Sequence, residues 1–134
     1  MIVQIASHVR RQILAHADAE HPREACGLLL GQAARITEAR ATRNVAADPE
    51  TSFEIDPAQL LAAHRGARGA GLRVLGHYHS HPNGHAEPSR RDAARALENG
   101  QIWLIAASGG LSAWHAAADG PLYGRFAALT LESC

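Results

Sequence analysis

Residues Leu72–Asp92 read LRVLGHYHSHPNGHAEPSRRD. Leu72–His81 has the composition of a strand, with Leu72, Val74 and Tyr78 on one parity and Leu75, His77, His79 and His81 on the other. Pro82-Asn83-Gly84 is a turn. Ser89 then opens a helix predicted to run to the capping pair Asn99-Gly100. Strand, tight return and helix bring the two ends of this stretch towards each other, and the histidines lie at the closing end of the strand.

The flanks supply the rest of a mixed fold. Upstream, Met1–Ala6 reads as a short strand, and Ser7 is a candidate N-cap for a helix carrying Val9, Ile13, Leu14 and Ala17. That helix must stop at His21-Pro22, because proline biases the residue before it away from helical geometry. Ala25–Gly31 (ACGLLLG) is a short apolar run suited to a buried strand, with Ile36–Asn44 as its partner across Gly31-Gln32-Ala33. Phe53–Ile55 reads as a short edge strand. Asp56-Pro57 caps and opens a second helix through Leu60, Leu61 and His64, dissolved by Gly66, Gly69 and Gly71. Downstream, Ile102–Ala107 and Leu111–Ala116 flank Ser108-Gly109-Gly110 as a hairpin, and Tyr123–Leu131 is a last strand. With no regular alternation of strand and helix and no linker, the expectation is one α/β (α+β) domain spanning 1–134.

Composition narrows the function classes. The chain has 134 residues, and its 46% hydrophobic content is inflated by 28 alanines. All 13 basic residues are arginine, balanced by 13 acidic ones for a net charge of zero. That balance lacks the basic footprint of a nucleic-acid binder. No run approaches the ~20 apolar residues of a membrane span, and the opening apolar run precedes its arginines, the reverse of a signal peptide. Two cysteines 108 positions apart, Cys26 and Cys134, do not make a disulfide framework. The expectation is a cytoplasmic protein that works on neither nucleic acid nor membrane; its oligomeric state is open.

Four of the nine histidines fall within His77–His85. On a strand, His79 and His81 point to one face about 7 Å apart at the backbone, close enough for two imidazoles to converge on one metal. His77 shares the face but lies about 13 Å from His81 and does not complete that chelate. Asp92, in the first turn of the helix opened by Ser89, is the nearest third ligand; alternatively, Ser89 and Asp92 form only a capping box. Two histidines and one aspartate leave a tetrahedral position open, the mark of a catalytic zinc site, one Zn2+ per chain. The candidate for the general base such a site needs is Glu24, just ahead of the apolar run; alternatively, Glu24 is only a solvated charge at the strand end.

Glu24, His79-Ser80-His81-Pro82 and Ser89-Arg90-Arg91-Asp92, with seven residues between His81 and Ser89, resemble the signature of the JAMM (MPN+) metalloproteases. The local wording Pro22–Leu29 and Gly76–Pro82 is similar to that of bacterial stand-alone members, and Asn44 and Phe53 match more loosely. The resemblance covers roughly residues 1–130. It implies a mixed β-sheet flanked by helices, zinc on His79, His81 and Asp92, Glu24 as general base, and Ser89 donating a hydrogen bond to the oxyanion. It also implies hydrolysis of a peptide or isopeptide bond, with a ubiquitin-like sulfur carrier ending in Gly-Gly, or a peptide, as substrate and partner.

Rival readings are weaker. A cupin would place a glutamate one or two residues closer than Glu87 stands to His81. A non-enzymatic MPN-type binding module with a structural zinc is the class-level alternative. Cys26 reads as a small buried hydrophobe, Trp103 and Trp114 as packing between paired strands, and Arg90 and Arg91 as a solvated helix face. His85 is placed in the loop, facing solvent or supporting a ligand.

Overall fold

A computed structural model describes residues 1–134. Its order is β1 (Ile2–Ile5), α1 (Ser7–Glu20), β2 (Cys26–Gln32), β3 (Arg35–Thr42), α2 (Pro57–Gly69), β4 (Arg73–Ser80), α3 (Arg90–Arg95), β5 (Ile102–Ala107), β6 (Gly110–Gly120) and β7 (Gly124–Ser133). The mixed sheet closes into a barrel in the order β1-β3-β2-β4-β5-β6-β7. Pairing is parallel where β1 meets β3 and β7 and where β4 meets β5, and antiparallel elsewhere. No helix is long and apolar enough to cross a membrane.

The alternating strands divide the core into two sides. One side gathers Val3, Ile5, Leu29, Ile36, Tyr78, Leu104 and their neighbours from every strand around Val9 and Ile13 of α1. On the other side Leu28, Leu30 and Val74 pack against Ala63 and Ala67 of α2, and Cys26, Phe53, Trp103 and Phe126 form a third cluster near α3. Buried apolar side chains of this size each contribute roughly 1.5–3 kcal/mol.

Several expectations are corrected in detail. Ser7 is the first residue of α1, not its cap; Ala6 holds that place without a side-chain bond. Phe53–Ile55 forms no strand, only the isolated bridge Asn44↔Ile55. Helix α2 passes through Gly66 and buries Ala63 and Ala67 rather than Leu60 and Leu61, which stay exposed, because small residues let it lie close to the sheet. The parity expected for Leu72–His81 breaks at a bulge: Leu29 pairs with Gly76 but Leu30 pairs with Val74. Val74 therefore faces α2, while Leu75 joins Tyr78 on the α1 side. Helix α3 ends at Arg95, short of Asn99-Gly100, because the Ala96 carbonyl accepts from the Arg125 guanidinium, which also holds Asn99 Oδ1 at 2.7 Å.

Candidate active site

β4 delivers His79 and His81 at its end. Cys26↔His79 across β2 and His79↔Ile105 across β5 fix the height of His79 in the sheet. Glycine is required at Gly76, where a Cβ would stand 1.9 Å from the Ile102 carbonyl oxygen, so β4 and β5 approach as closely as they do only without a side chain there. The turn at Pro82-Asn83 closes with the Gly84 amide on the His81 carbonyl, and the chain returns to α3.

The return brings three donor atoms together. His79 Nε2 and His81 Nε2 lie 2.9 Å apart, and Asp92 Oδ2 lies 3.3 and 3.1 Å from them. All three residues are buried and form a group able to hold a metal ion. Ligands of a tetrahedral zinc at 2.0–2.1 Å stand about 3.3–3.4 Å from one another, within a few tenths of an ångström of this triangle. The tautomer suits ligation too. His81 Nδ1 lies 2.8 Å from the His85 carbonyl, and donating to it turns a bare Nε2 inward. The capping box is present, and its carboxylate also faces the histidines: Ser89 Oγ accepts from the Asp92 amide at 3.0 Å, and Asp92 Oδ2 accepts from the Ser89 amide at 2.9 Å while lying beside both rings.

The electrostatics follow from burial. Burial holds His79 below its ordinary pKa, in the neutral form that ligation needs. For His81 burial acts in the same direction, but the Asp92 carboxylate and the His85 carbonyl outweigh it and the pKa is raised. Burial would raise Asp92, yet its close contacts with the His79 and His81 rings and the bond from the Ser89 amide hold its carboxyl well below the usual range. His77 is half-buried with its Nδ1 enclosed, burial drops its pKa to about 3, and it takes no part in the triangle; its ring meets Trp103 edge-on at 4.2 Å.

Glu24 lines the same cleft, about 920 Å³ in volume, as His81, Pro88, Ser89, Arg91 and Tyr123. Glu24 is 6% exposed, and its Oε1 has no hydrogen-bond partner. Burial, helped by the Asp92 charge, pushes its carboxyl up to about 7, although His81, Arg91 and Arg95 oppose the shift. A partnerless carboxylate that titrates near neutrality suits proton transfer.

Residues 6–117 match the family described as prokaryotic homologs of the JAB domain. The chain belongs to this prokaryotic JAB-domain family. A relative from Haloferax volcanii, named desampylase, is 34% identical over 84% of this JAB-domain chain and 86% of its own length. A Thermus thermophilus protein, named a probable TtuB-protein conjugate cleaving protease, is 33% identical over 72% of this chain, which spans 64% of its length. A solved protein from Desulfitobacterium hafniense superposes on the whole JAB-domain chain and 93% of its own with a TM-score of 0.86 and 26% identity. The expected family and hydrolase class agree with these relatives.

The structure also adds residues that sequence reasoning left at the margin. Phe53 stacks on His79 with centroids 4.3 Å apart and planes inclined by 20°. Arg91, read as solvated, donates to the Thr51 carbonyl at 3.1 Å, and Arg95 donates to the Phe53 carbonyl. Arg90 lies over the Tyr123 ring at 5.1 Å. His85 contributes its main-chain carbonyl rather than its ring. Their spacing carries no motif; only the looser match at Asn44 and Phe53 pointed to this loop. Cys26 is the buried hydrophobe expected, its thiol pushed up to about 11 by burial.

Proposed function

We propose that the whole chain, 1–134, is one zinc-dependent peptidase or isopeptidase domain acting after the C-terminal Gly-Gly of a ubiquitin-like sulfur-carrier protein. The observation that carries this reading is the convergence of His79, His81 and Asp92 beside the partnerless carboxylate of Glu24. The names of the Haloferax and Thermus relatives support a small-protein conjugate as substrate.

Zinc held by His79, His81 and Asp92 would supply Lewis-acid polarisation and acidify the attacking water. Glu24 takes a proton from that water and carries it to the departing amine nitrogen. The Ser89 hydroxyl accepts from the Asp92 amide and so keeps its own proton to donate to the carbonyl oxygen as it gains charge. Burial around His79 and Asp92 excludes water from the donor atoms and strengthens each of these interactions. Pro82 and Pro88 wall the cleft, and an extended tail ending in glycines would bring its carbonyl in without a side-chain clash. Both cysteines are free, which supports a reducing cytoplasm.

The test compares a Gly-Gly-terminated carrier extended by a few residues with the same fusion carrying bulky residues in place of both glycines. Cleavage of the first alone is expected. Equal cleavage of both would remove the sulfur-carrier reading and leave a general peptidase.

A further inference from the structure

β2 starts at Cys26, so Glu24 sits outside the sheet and its main chain must be fixed by something else. Both of its main-chain polar groups are engaged by the loop between β3 and α2. The Glu24 amide donates to the Pro49 carbonyl at 2.7 Å, and the Glu24 carbonyl accepts from Asn44 Nδ2 at 2.9 Å. The next residue is held from the opposite side, where the Ala25 amide donates to Ser80 Oγ at 2.7 Å.

Asn44 is the centre of that loop. Besides Glu24, its Nδ2 donates to the Ser52 carbonyl at 3.0 Å and lies 3.4 Å from that of Pro49. Its Oδ1 accepts from the amides of Ala46 at 3.0 Å and Glu54 at 3.1 Å. One carboxamide thus ties residues 24, 46, 49, 52 and 54 together. The far end of the same loop carries Phe53 onto His79 and is bonded to Arg91 and Arg95, which flank Asp92 on α3. Glu24 Oε1 has no bond of its own to orient it, so the direction of its side chain depends on the main chain from which it leaves.

We propose that Asn44 is a positioning residue: its carboxamide fixes the main chain at Glu24 and thereby aims the carboxylate into the cleft shared with His81 and Ser89. The inference rests on the reading of Glu24 as general base. It assigns Asn44 no contact with the substrate and no share in holding a metal. Asn44→Asp is the selective probe, because aspartate keeps the two acceptances from Ala46 and Glu54 and cannot donate to the three carbonyls. Gln59→Ala is the control: it removes the 2.6 Å acceptor of the neighbouring Arg43 amide, loosening the same loop end without touching Glu24.

Four quantities are read on the full chain: zinc content, hydrogen exchange of the Glu24 amide in chelated protein, and kcat and KM of zinc-loaded protein. The substrate probe is a ubiquitin-like carrier ending in Gly-Gly coupled to aminomethylcoumarin. In Asn44→Asp the Glu24 amide is expected to exchange about 10-fold faster. Its kcat should fall about 10–100-fold with KM and zinc content little changed. Gln59→Ala should leave all four near wild type. Unchanged exchange at Glu24, a loss of rate shared by Gln59→Ala, or a loss that tracks zinc or KM would overturn the proposal. Failure of the wild-type protein to cleave the probe would instead count against the peptidase reading, and the exchange measurement alone would then decide whether Asn44 holds residue 24. Asn44→Ser is read the same way if the aspartate variant does not fold.

Discussion

Ser80 and Ala25 are joined by two hydrogen bonds: the Ala25 amide donates to Ser80 Oγ at 2.7 Å, and the Ser80 amide donates to the Ala25 carbonyl at 3.0 Å. Ser80 stands between the histidines of the triangle, and Ala25 follows the candidate base. The two halves of the site are therefore fastened at neighbouring residues, one of each pair pointing into the cleft and the other locking the main chains together.

Replacing Ser80 by alanine leaves the buried Ala25 amide without its acceptor. The expected cost is about 1–3 kcal/mol of folding stability, read from denaturant unfolding, with Ser80→Thr close to wild type. A stability unchanged by Ser80→Ala would mean that this bond does not hold the two segments.

Gly76→Ala places a Cβ against the Ile102 carbonyl at 1.9 Å; the carbonyl is backbone and a Cβ is fixed by its own main chain, so neither can rotate away. Destabilisation of at least about 1–3 kcal/mol is expected, with the register between β4 and β5 disturbed just below His79. A thermal midpoint equal to wild type would contradict the close approach of these strands.

Glu24 gives a pH signature in chelated protein. Its carboxyl is raised from 4.5 to about 7, so the folded state binds this proton more tightly than the unfolded chain does. Stability from this group is full below about pH 4.5 and is lost as pH rises towards 7, a penalty of roughly 2–3 kcal/mol at the upper end. Glu24→Gln should therefore be more stable than wild type at pH 8 and lose that advantage by pH 4. A difference between the two that does not change with pH would show that Glu24 is not held in this environment.

How far the sequence reaches is clear from the residues themselves. Ser89 and Asp92 are legible because a helix start has few solutions: a hydroxyl at the cap and a carboxylate three residues on satisfy orphan amides, and the strand–turn return ahead of them aims that carboxylate at the histidines. The face shared by His79 and His81 follows from strand alternation. The bulge at Leu75 is not legible, since nothing in a run of Leu, Arg and Val marks an extra residue, and it reverses the parity of every position before it. Nor is the barrel's closure through parallel β1 and β7, a long-range pairing with no local signal. Within residues 44–55 the sequence suggests only a short edge strand at Phe53–Ile55, whereas Asn44 and Phe53 order the loop through tertiary contacts that spacing cannot reveal.

His81→Ala and Glu24→Gln should separate binding from chemistry. Loss of His81 removes one donor and the hydrogen bond to His85, so most of the zinc should be absent by metal analysis. Glu24→Gln leaves the triangle intact and should keep its zinc. Full zinc in the His81 variant would exclude this residue as a ligand.

The most direct measurement follows hydrolysis of a Gly-Gly-extended ubiquitin-like carrier by wild type and Glu24→Gln in parallel, each zinc-loaded, chelated and reloaded. Wild type is expected to cleave, to stop on chelation and to recover with zinc, while zinc-replete Glu24→Gln turns over ~10²–10⁴-fold more slowly. Cleavage that survives chelation, or a Glu24→Gln protein as active as wild type, would contradict a zinc peptidase built on these four residues.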